Sequence, residues 1–183
     1  MLDQYLIEHC SPTLASIKTA NLFSCSYARE EDLEEQVRSW NSRLEDKGIT
    51  LMILRKTGKA ALVYVCRIEK LKKDLQKPGV TEFLQTYGYE HTDVKSALAK
   101  LHERVTTQTE FPHEIGLFLS YPLGDVKGFI ENAGHNSKCC GCWKVYVNEC
   151  EAIRTFARYR KCKDVYQRLY RQGRSVLQLT VAA

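Results

Sequence analysis

The chain has 183 residues, of which 44% are hydrophobic, and it contains two tryptophans and ten tyrosines. This length and composition fit one domain with a core large enough to need neither a structural metal nor disulfides. The formal net charge is +5, and the segment 149–174 carries all of it, with eight basic and three acidic residues. The remainder is formally neutral, which excludes a surface that is basic throughout.

In the first half of the chain, a helix and a hairpin are predicted most directly. A helix is predicted over residues 29–45, because apolar side chains recur there at helical spacing. Two segments rich in β-forming residues, 49–54 and 60–66, flank a turn at Gly58 and predict a β-hairpin. A strand is expected over 20–26. Short helices precede it, with Ser11-Pro12 read as an N-cap and first turn.

The second half is predicted to be mainly helical. Helices are expected over residues 69–76, 80–87, 92–106, 122–132 and 148–173, and strands over residues 115–120, 143–147 and 175–180. Strands and helices therefore alternate irregularly. This pattern favours an α+β fold in which a single domain, 1–183, has a mixed β-sheet with helices packed on it.

The expected location is the cytoplasm. The amino terminus lacks a basic region followed by an uninterrupted apolar run, so no signal peptide is expected. The longest apolar run, residues 60–66, is far shorter than the roughly 20 residues that cross a bilayer, so no membrane partner is expected. In a reducing compartment the eight cysteines are expected to be thiols rather than disulfides.

Three segments carry a resemblance to a known family. They are P-H-E-I-G-L-F-L-S-Y-P-L-G-D-V-K-G-F-I from Pro112, C-G-C-W-K-V-Y from Cys140 and R-K-C-K-D-V-Y from Arg160. Together with residues 18–23 and 173–180, they make nearly the whole chain resemble DUF3793, an uncharacterised bacterial family. The resemblance implies no activity or cofactor, but it marks the positions of His113-Glu114, Cys140 and Lys161-Cys162. The family pattern more usually has other residue types at Cys139 and Cys142, which argues against a mechanism that needs both.

His113, Glu114 and Cys140 are the candidate catalytic residues. Histidine gains or loses a proton near neutral pH, so His113 is a candidate general base. Cys140 precedes a glycine and lies near two lysines in sequence, an environment that favours a reactive thiolate. With Glu114 orienting His113, these residues would form the site of a cysteine-dependent hydrolase or transferase. The alternative is a structural histidine beside a solvated glutamate, and a cysteine that packs in the core.

Lys18, Tyr121, Asp125 and Lys144 are the candidate ligand-binding residues. Asp125 lies in the first turn of a predicted helix that directly follows a strand, where free backbone N–H groups bind anions, although its own charge opposes this. Lys18 and Lys144 offer positive charge to an anionic ligand, or are solvated surface lysines. The sequence contains no glycine-rich nucleotide-binding loop, and it identifies no cofactor or partner.

Two further functions remain open at this point. Zinc or iron binding would use the Cys/His cluster, which comprises His135, Cys139, Cys140, Cys142 and Cys150, but a second Cys-x-x-C is missing. Nucleic-acid binding would use the basic carboxy-terminal helix, in which arginines alternate with aromatic residues. An ordinary amphipathic helix, with Ile153, Phe156 and Tyr159 on its buried face, explains the same pattern.

The sequence names no reaction. The interpretation it favours is an uncharacterised cytosolic protein that acts as a small-ligand-binding or regulatory module, with its site around the Pro-His-Glu motif. The cysteine-dependent enzyme, the metal-binding protein and the nucleic-acid-binding protein are the alternatives, and the sequence contains no recognised nucleic-acid-binding motif for the last of them.

Overall fold

A computed structural model describes residues 2–182 and has an α+β fold. Its main sheet has the strand order β1-β3-β2, where β1 is Ala20–Ser26, β2 is Ile49–Thr57 and β3 is Ala60–Arg67. Both pairings are antiparallel. The prediction of an α+β fold is therefore confirmed, while the expected mixed sheet is wrong. Strands β2 and β3 are antiparallel because a tight turn at Gly58 joins them. Strand β1 lies along the other edge of β3 and is also antiparallel to it.

Nine helices and a second, smaller sheet occupy the rest of residues 2–182. The small sheet pairs β4, Cys139–Cys140, with β5, Lys144–Val145. A short 3-10 turn, Glu45–Lys47, follows the second helix. The helices are α1 (Leu2–Leu14), α2 (Glu30–Leu44), α3 (Ile68–Leu75), α4 (Val80–Gln85), α5 (Val94–Thr107), α6 (Ile115–Phe118), α7 (Leu123–Glu131), α8 (Glu149–Arg171) and α9 (Val176–Leu179).

Both faces of the main sheet are covered. Successive side chains of a strand point to opposite faces, and in β3 Val63 and Val65 pack into the core with α1 and α2. Tyr64 and Cys66 point the other way, into the core formed with α3 to α6. This second core supports the segment that carries His113, because Tyr64 donates a hydrogen bond of 2.6 Å to the carbonyl of Phe118.

Most predicted elements are present. Helix α2 buries Leu33, Val37, Trp40 and Leu44, the four apolar positions on which it was predicted. Strand β1 spans the predicted residues. Helix α8 begins after Asn148, whose side chain accepts a hydrogen bond of 3.2 Å from the backbone N–H of Glu151, as an N-cap does.

Two predicted strands and one predicted helix start are wrong. Residues 115–118 form the helix α6, and residues 176–179 form the helix α9 with a capping box between Ser175 and Gln178. A short buried apolar run has no periodicity that distinguishes a helix from a strand. Pro12 lies in the last turn of α1 rather than in a first turn. Of the strand expected over 143–147, the structure has only Lys144–Val145.

A helix that crosses a bilayer must be both long and apolar. Within residues 2–182, no helix has the length and the apolar composition that this requires.

Candidate functional site

The β4–β5 hairpin is held against α7 by Asp125. The Asp125 carboxylate accepts hydrogen bonds from the indole N–H of Trp143 at 2.8 Å and from the backbone N–H groups of Tyr146 at 2.8 Å and Val147 at 2.9 Å. The side chain is buried, and these three donors occupy both of its oxygens. Asp125 therefore positions the hairpin.

Close contact between α7 and the segment after β5 requires two glycines. A Cβ atom on Gly128 would lie 2.5 Å from the Cγ atom of Tyr146, and one on Gly124 would lie 2.5 Å from a methyl carbon of Val147. Both distances are shorter than any real carbon contact. The glycines at these positions let the helix and the hairpin approach closely enough for Asp125 to reach its partners.

A cavity of about 310 Å³ opens between β1, α6, α7 and this hairpin. Five predicted site residues line it, namely His113, Tyr121, Asp125, Cys140 and Lys144. The remaining lining is apolar or aromatic and consists of Leu22, Phe111, Ile115, Gly116, Leu119, Val126, Phe129 and Trp143. We call this the His113 cavity. It joins residues from four separated segments of the chain, and the sequence alone does not indicate that they meet.

His113 and Glu114 point in different directions. The exposed His113 ring lies on the cavity wall and packs edge-on against Phe129, with 4.9 Å between ring centroids. Glu114 is 1% exposed and forms an ion pair with Arg104. It also accepts a hydrogen bond of 3.2 Å from Tyr89, and burial is the main cause that raises the pKa of Tyr89. Within residues 2–182, no hydrogen bond joins Glu114 to His113.

The cysteines of the hairpin face three different surroundings. Cys139 packs beside Val145, Ala152 and Phe156, on the side of α8. Cys140 lines the His113 cavity. Cys142 lines a separate groove on the other side of Tyr121.

This divergence bears on the metal hypothesis. Among the residues that the structure describes, no three histidine, cysteine or acidic side chains are grouped so that they could hold a metal ion. His135 and Cys150, which the sequence added to the candidate set, are both exposed. The spacing in sequence therefore does not become a shared coordination site in space.

Two lysines of the hairpin region have similar backbone contacts but different surroundings. Lys144 donates a hydrogen bond of 2.7 Å to the carbonyl of Gly134, and its ammonium lies 5.9 Å from the centre of the Phe129 ring. Lys138 donates one of 2.8 Å to the carbonyl of Val147. Only Lys144 lines the His113 cavity. It brings a positive charge to a mostly apolar wall that also carries the Asp125 carboxylate.

Tyr121 separates the cavity from the neighbouring groove. Its ring stacks on Trp143 with 4.9 Å between centroids, and its hydroxyl donates a hydrogen bond of 3.2 Å to the carbonyl of Cys142. Burial raises the pKa of Tyr121 to about 12. Lys18 does not line the cavity but lies behind this wall, with its ammonium 5.4 Å from the centre of the Tyr121 ring.

Helix α8 has the surface of an amphipathic helix. Its buried residues are Ala152, Phe156 and Tyr159, whereas Ile153, which the sequence placed on the same face, is 51% exposed. The arginines at positions 154, 158 and 168 are exposed. Of the aromatic residues of α8, Phe156 and Tyr159 are buried and Tyr166 and Tyr170 pack against the core. The helix therefore does not present charges and rings on one open face.

Sequence reasoning did not identify the aromatic walls of the cavity. Phe111, Phe129 and Trp143 lie within two to sixteen residues of His113 or Cys140 in sequence, but each is also an ordinary core residue type. The partners of Glu114, which are Arg104 and Tyr89, were missed as well. The sequence feature that indicates an aromatic wall is Trp143, because it directly follows the cysteine cluster.

Comparison with known proteins identifies a family but no activity. A family model described as "Protein of unknown function (DUF3793)" matches residues 6–180, nearly the whole chain. No curated protein and no solved structure matches. The match agrees with the resemblance carried by the Pro-His-Glu and Cys-Gly-Cys-Trp-Lys segments. The chain belongs to the DUF3793 family.

Proposed function

We propose that the protein is a small-ligand-binding module whose ligand has a largely apolar body and an acidic group, and that it binds in the His113 cavity. The observation that carries this proposal is the composition of the wall. Binding sites for small molecules have volumes of about 300–1,000 Å³, with apolar walls and a few convergent polar groups. The His113 cavity has about 310 Å³, mostly apolar walls and three polar side chains whose hydrogen-bonding capacity is still open.

Those three side chains are His113, Cys140 and Lys144. The carboxylate of Asp125 and the hydroxyl of Tyr121 already have protein partners. Lys144 uses one of its three N–H donors on Gly134, which leaves two for a ligand. The available groups are thus one cation, one imidazole and one thiol, a combination that complements an acid on a hydrophobic molecule.

The cysteine-dependent enzyme receives less support from the geometry. Cys140 and His113 line the same cavity, but Glu114 is engaged with Arg104 in the core and does not orient the imidazole. Nucleophilic catalysis of this kind needs a base held in place by a third group.

A cytoplasmic location remains part of the proposal, since all eight cysteines are free thiols, as is usual in a reducing compartment.

Replacing Lys144 by alanine is expected to weaken binding of 8-anilinonaphthalene-1-sulfonate, an aromatic anion, by about three- to tenfold. A charge-assisted hydrogen bond contributes about 1 kcal/mol or more, which corresponds to this loss of affinity. The measurement is a fluorescence titration of folded protein. Lys138→Ala is the matched control, because Lys138 makes the same kind of backbone contact outside the cavity. It should leave the affinity unchanged.

A neutral analogue separates the charge from the apolar wall. N-phenyl-1-naphthylamine lacks the sulfonate and should bind wild type and Lys144→Ala equally well. The ligand proposal for this cavity is wrong if binding of 8-anilinonaphthalene-1-sulfonate to the wild-type protein does not saturate. It is also wrong if Lys144→Ala and Lys138→Ala weaken that binding equally.

A further inference from the structure

A second concave surface lies on the other side of Tyr121 from the His113 cavity. This groove, of about 570 Å³, lies between α1, the start of β1, the turn of the β4–β5 hairpin and α8. Lys18 lies in its wall with a side chain that is 6% exposed. We call it the Lys18 groove. It shares Leu22, Leu119 and Tyr121 with the cavity but none of the polar groups proposed above to hold the ligand there.

The Lys18 side chain is 6% exposed, and within residues 2–182 its ammonium has no hydrogen-bond acceptor but keeps a small area open to solvent. Its neighbours are the faces of two aromatic rings, at 5.4 Å from the centre of Tyr121 and 5.7 Å from the centre of Tyr159. Ring faces attract a cation but do not satisfy its three N–H donors. A buried charge without a paired anion is unfavourable, and burial lowers the pKa of Lys18 to about 8. Most of the population still carries the charge at neutral pH.

The groups beside Lys18 do not neutralise it. Desolvation raises the pKa of Cys142, so that the nearby sulfur is a neutral thiol at neutral pH. Glu8 supplies the one carboxylate among the lining residues. It accepts a hydrogen bond of 2.8 Å from the side chain of Gln4, and no ion pair within 4.0 Å joins it to a cation in the described part of the chain.

Two further cations line the same groove. Arg160 and Lys163 lie three residues apart on α8 and therefore share one face of the helix. Neither forms an ion pair within residues 2–182. The groove thus has three lysine and arginine side chains against one carboxylate. His9 adds no charge near neutral pH, because burial and then Lys163 lower its pKa.

We propose that the Lys18 groove binds the oxyanion of a small molecule, a phosphate or a carboxylate group, with Lys18 as the buried anchor and Arg160 and Lys163 at the rim. The oxyanion supplies the hydrogen-bond acceptors that the Lys18 ammonium lacks within residues 2–182. The guanidinium of Arg160 matches the paired oxygens of either group. This site is independent of the ligand proposed for the His113 cavity, and either can exist without the other.

The test follows the Lys18 side chain by NMR in protein with labelled lysine, at pH 7 and constant ionic strength. Inorganic phosphate and acetate are the two probes, and sodium chloride is the reference salt. We expect one probe to shift the Lys18 signal saturably and to raise its apparent pKa, because the anion binds the ammonium and not the free amine. Tighter binding of phosphate assigns a phosphate ligand, and binding of acetate alone assigns a carboxylate.

Three variants make the result specific. Lys18→Met should weaken binding of the effective probe at least tenfold, as measured by calorimetry. Arg160→Met should weaken binding of the same probe several-fold. Because Arg160 is exposed, this variant tests the groove without changing the buried core, even if Lys18→Met folds poorly. Lys161→Met is the matched control, because Lys161 is an exposed cation of α8 that does not line the groove. Absence of saturable binding by both probes, or equal binding by wild type and Lys18→Met, would overturn the proposal.

Discussion

Replacing Glu114 by alanine is expected to lower the free energy of unfolding by about 3–5 kcal/mol, since breaking a buried ion pair from one side leaves the other charge uncompensated. Arg104 would lose its carboxylate partner in a position where its side chain is only 14% exposed. The buried hydroxyl of Tyr89 would lose its acceptor as well. The contact joins α5 to the segment just before α6, so its loss loosens the support of the His113 cavity.

The adjacent residue is the best control. His113→Ala removes an exposed ring that packs edge-on against Phe129, and it should change the free energy of unfolding by less than about 1 kcal/mol. Urea unfolding measures both variants under the same conditions. The Arg104→Ala/Glu114→Ala double variant should lose less than the sum of the single variants, because the two residues interact directly. Equal losses for His113→Ala and Glu114→Ala would contradict this assignment.

This pair of neighbours shows which part of the site the sequence predicts. In the sequence Pro-His-Glu, His113 and Glu114 are adjacent, and this adjacency suggested that they act together as base and orienting group. Their separation depends on the backbone turn that they form just before α6, in which Glu114 faces Arg104 and His113 faces Phe129. Arg104 lies ten residues earlier in α5, and no local pattern in the sequence links the two charges.

The fold was predicted best where the local signal agrees with the tertiary environment. Helix α2 has one apolar face against the sheet, so its periodicity and its burial agree. The hairpin of β2 and β3 was predicted correctly because the turn at Gly58 and the β-forming residues on either side of it indicate the same structure. Helix α6 has no exposed face to create such a pattern, since Ile115, Gly116, Leu117 and Phe118 are all buried. Short segments enclosed on all sides carry no periodicity from which their type can be read.

Buried cations are the features least visible in the sequence. Arg67 is 3% exposed and donates hydrogen bonds to the carbonyls of Thr13, Leu14, Lys47 and Val181, at 2.7 to 3.1 Å. Its partners come from three distant segments. Lys18, by contrast, has comparable burial but no such acceptors within residues 2–182. In the sequence both are ordinary charged residues, and the difference between them appears only when the chain has folded.

That difference leads to an expected gain of stability on replacing Lys18 by methionine. The ordinary pKa of a lysine is 10.5, and burial lowers that of Lys18 to about 8, a shift that corresponds to about 3 kcal/mol. Methionine has a similar length and no charge, so at pH 7 the variant should unfold with a free energy about 1–3 kcal/mol higher than wild type. Lys161→Met, on the exposed face of α8, should stay within about 0.5 kcal/mol.

The pH dependence distinguishes this cause from a general gain in packing. Below about pH 8 Lys18 is protonated in the folded and unfolded states, so the advantage of the variant is fully present. Between about pH 8 and pH 10.5 the folded protein has released this proton while the unfolded chain still binds it, and wild type therefore gains stability relative to the variant. Burial raises the pKa of Tyr121 to about 12 in both proteins, so its contribution largely cancels in the difference. Cys142 does not cancel, because the charge of Lys18 lowers its pKa. Removing Lys18 raises the pKa of Cys142 further, which lowers the stability of the variant at high pH and adds to the narrowing. Urea unfolding at pH 7, 9 and 10.5 should therefore show a difference that narrows as pH rises, and a constant difference would mean that Lys18 is not a buried ammonium without a partner.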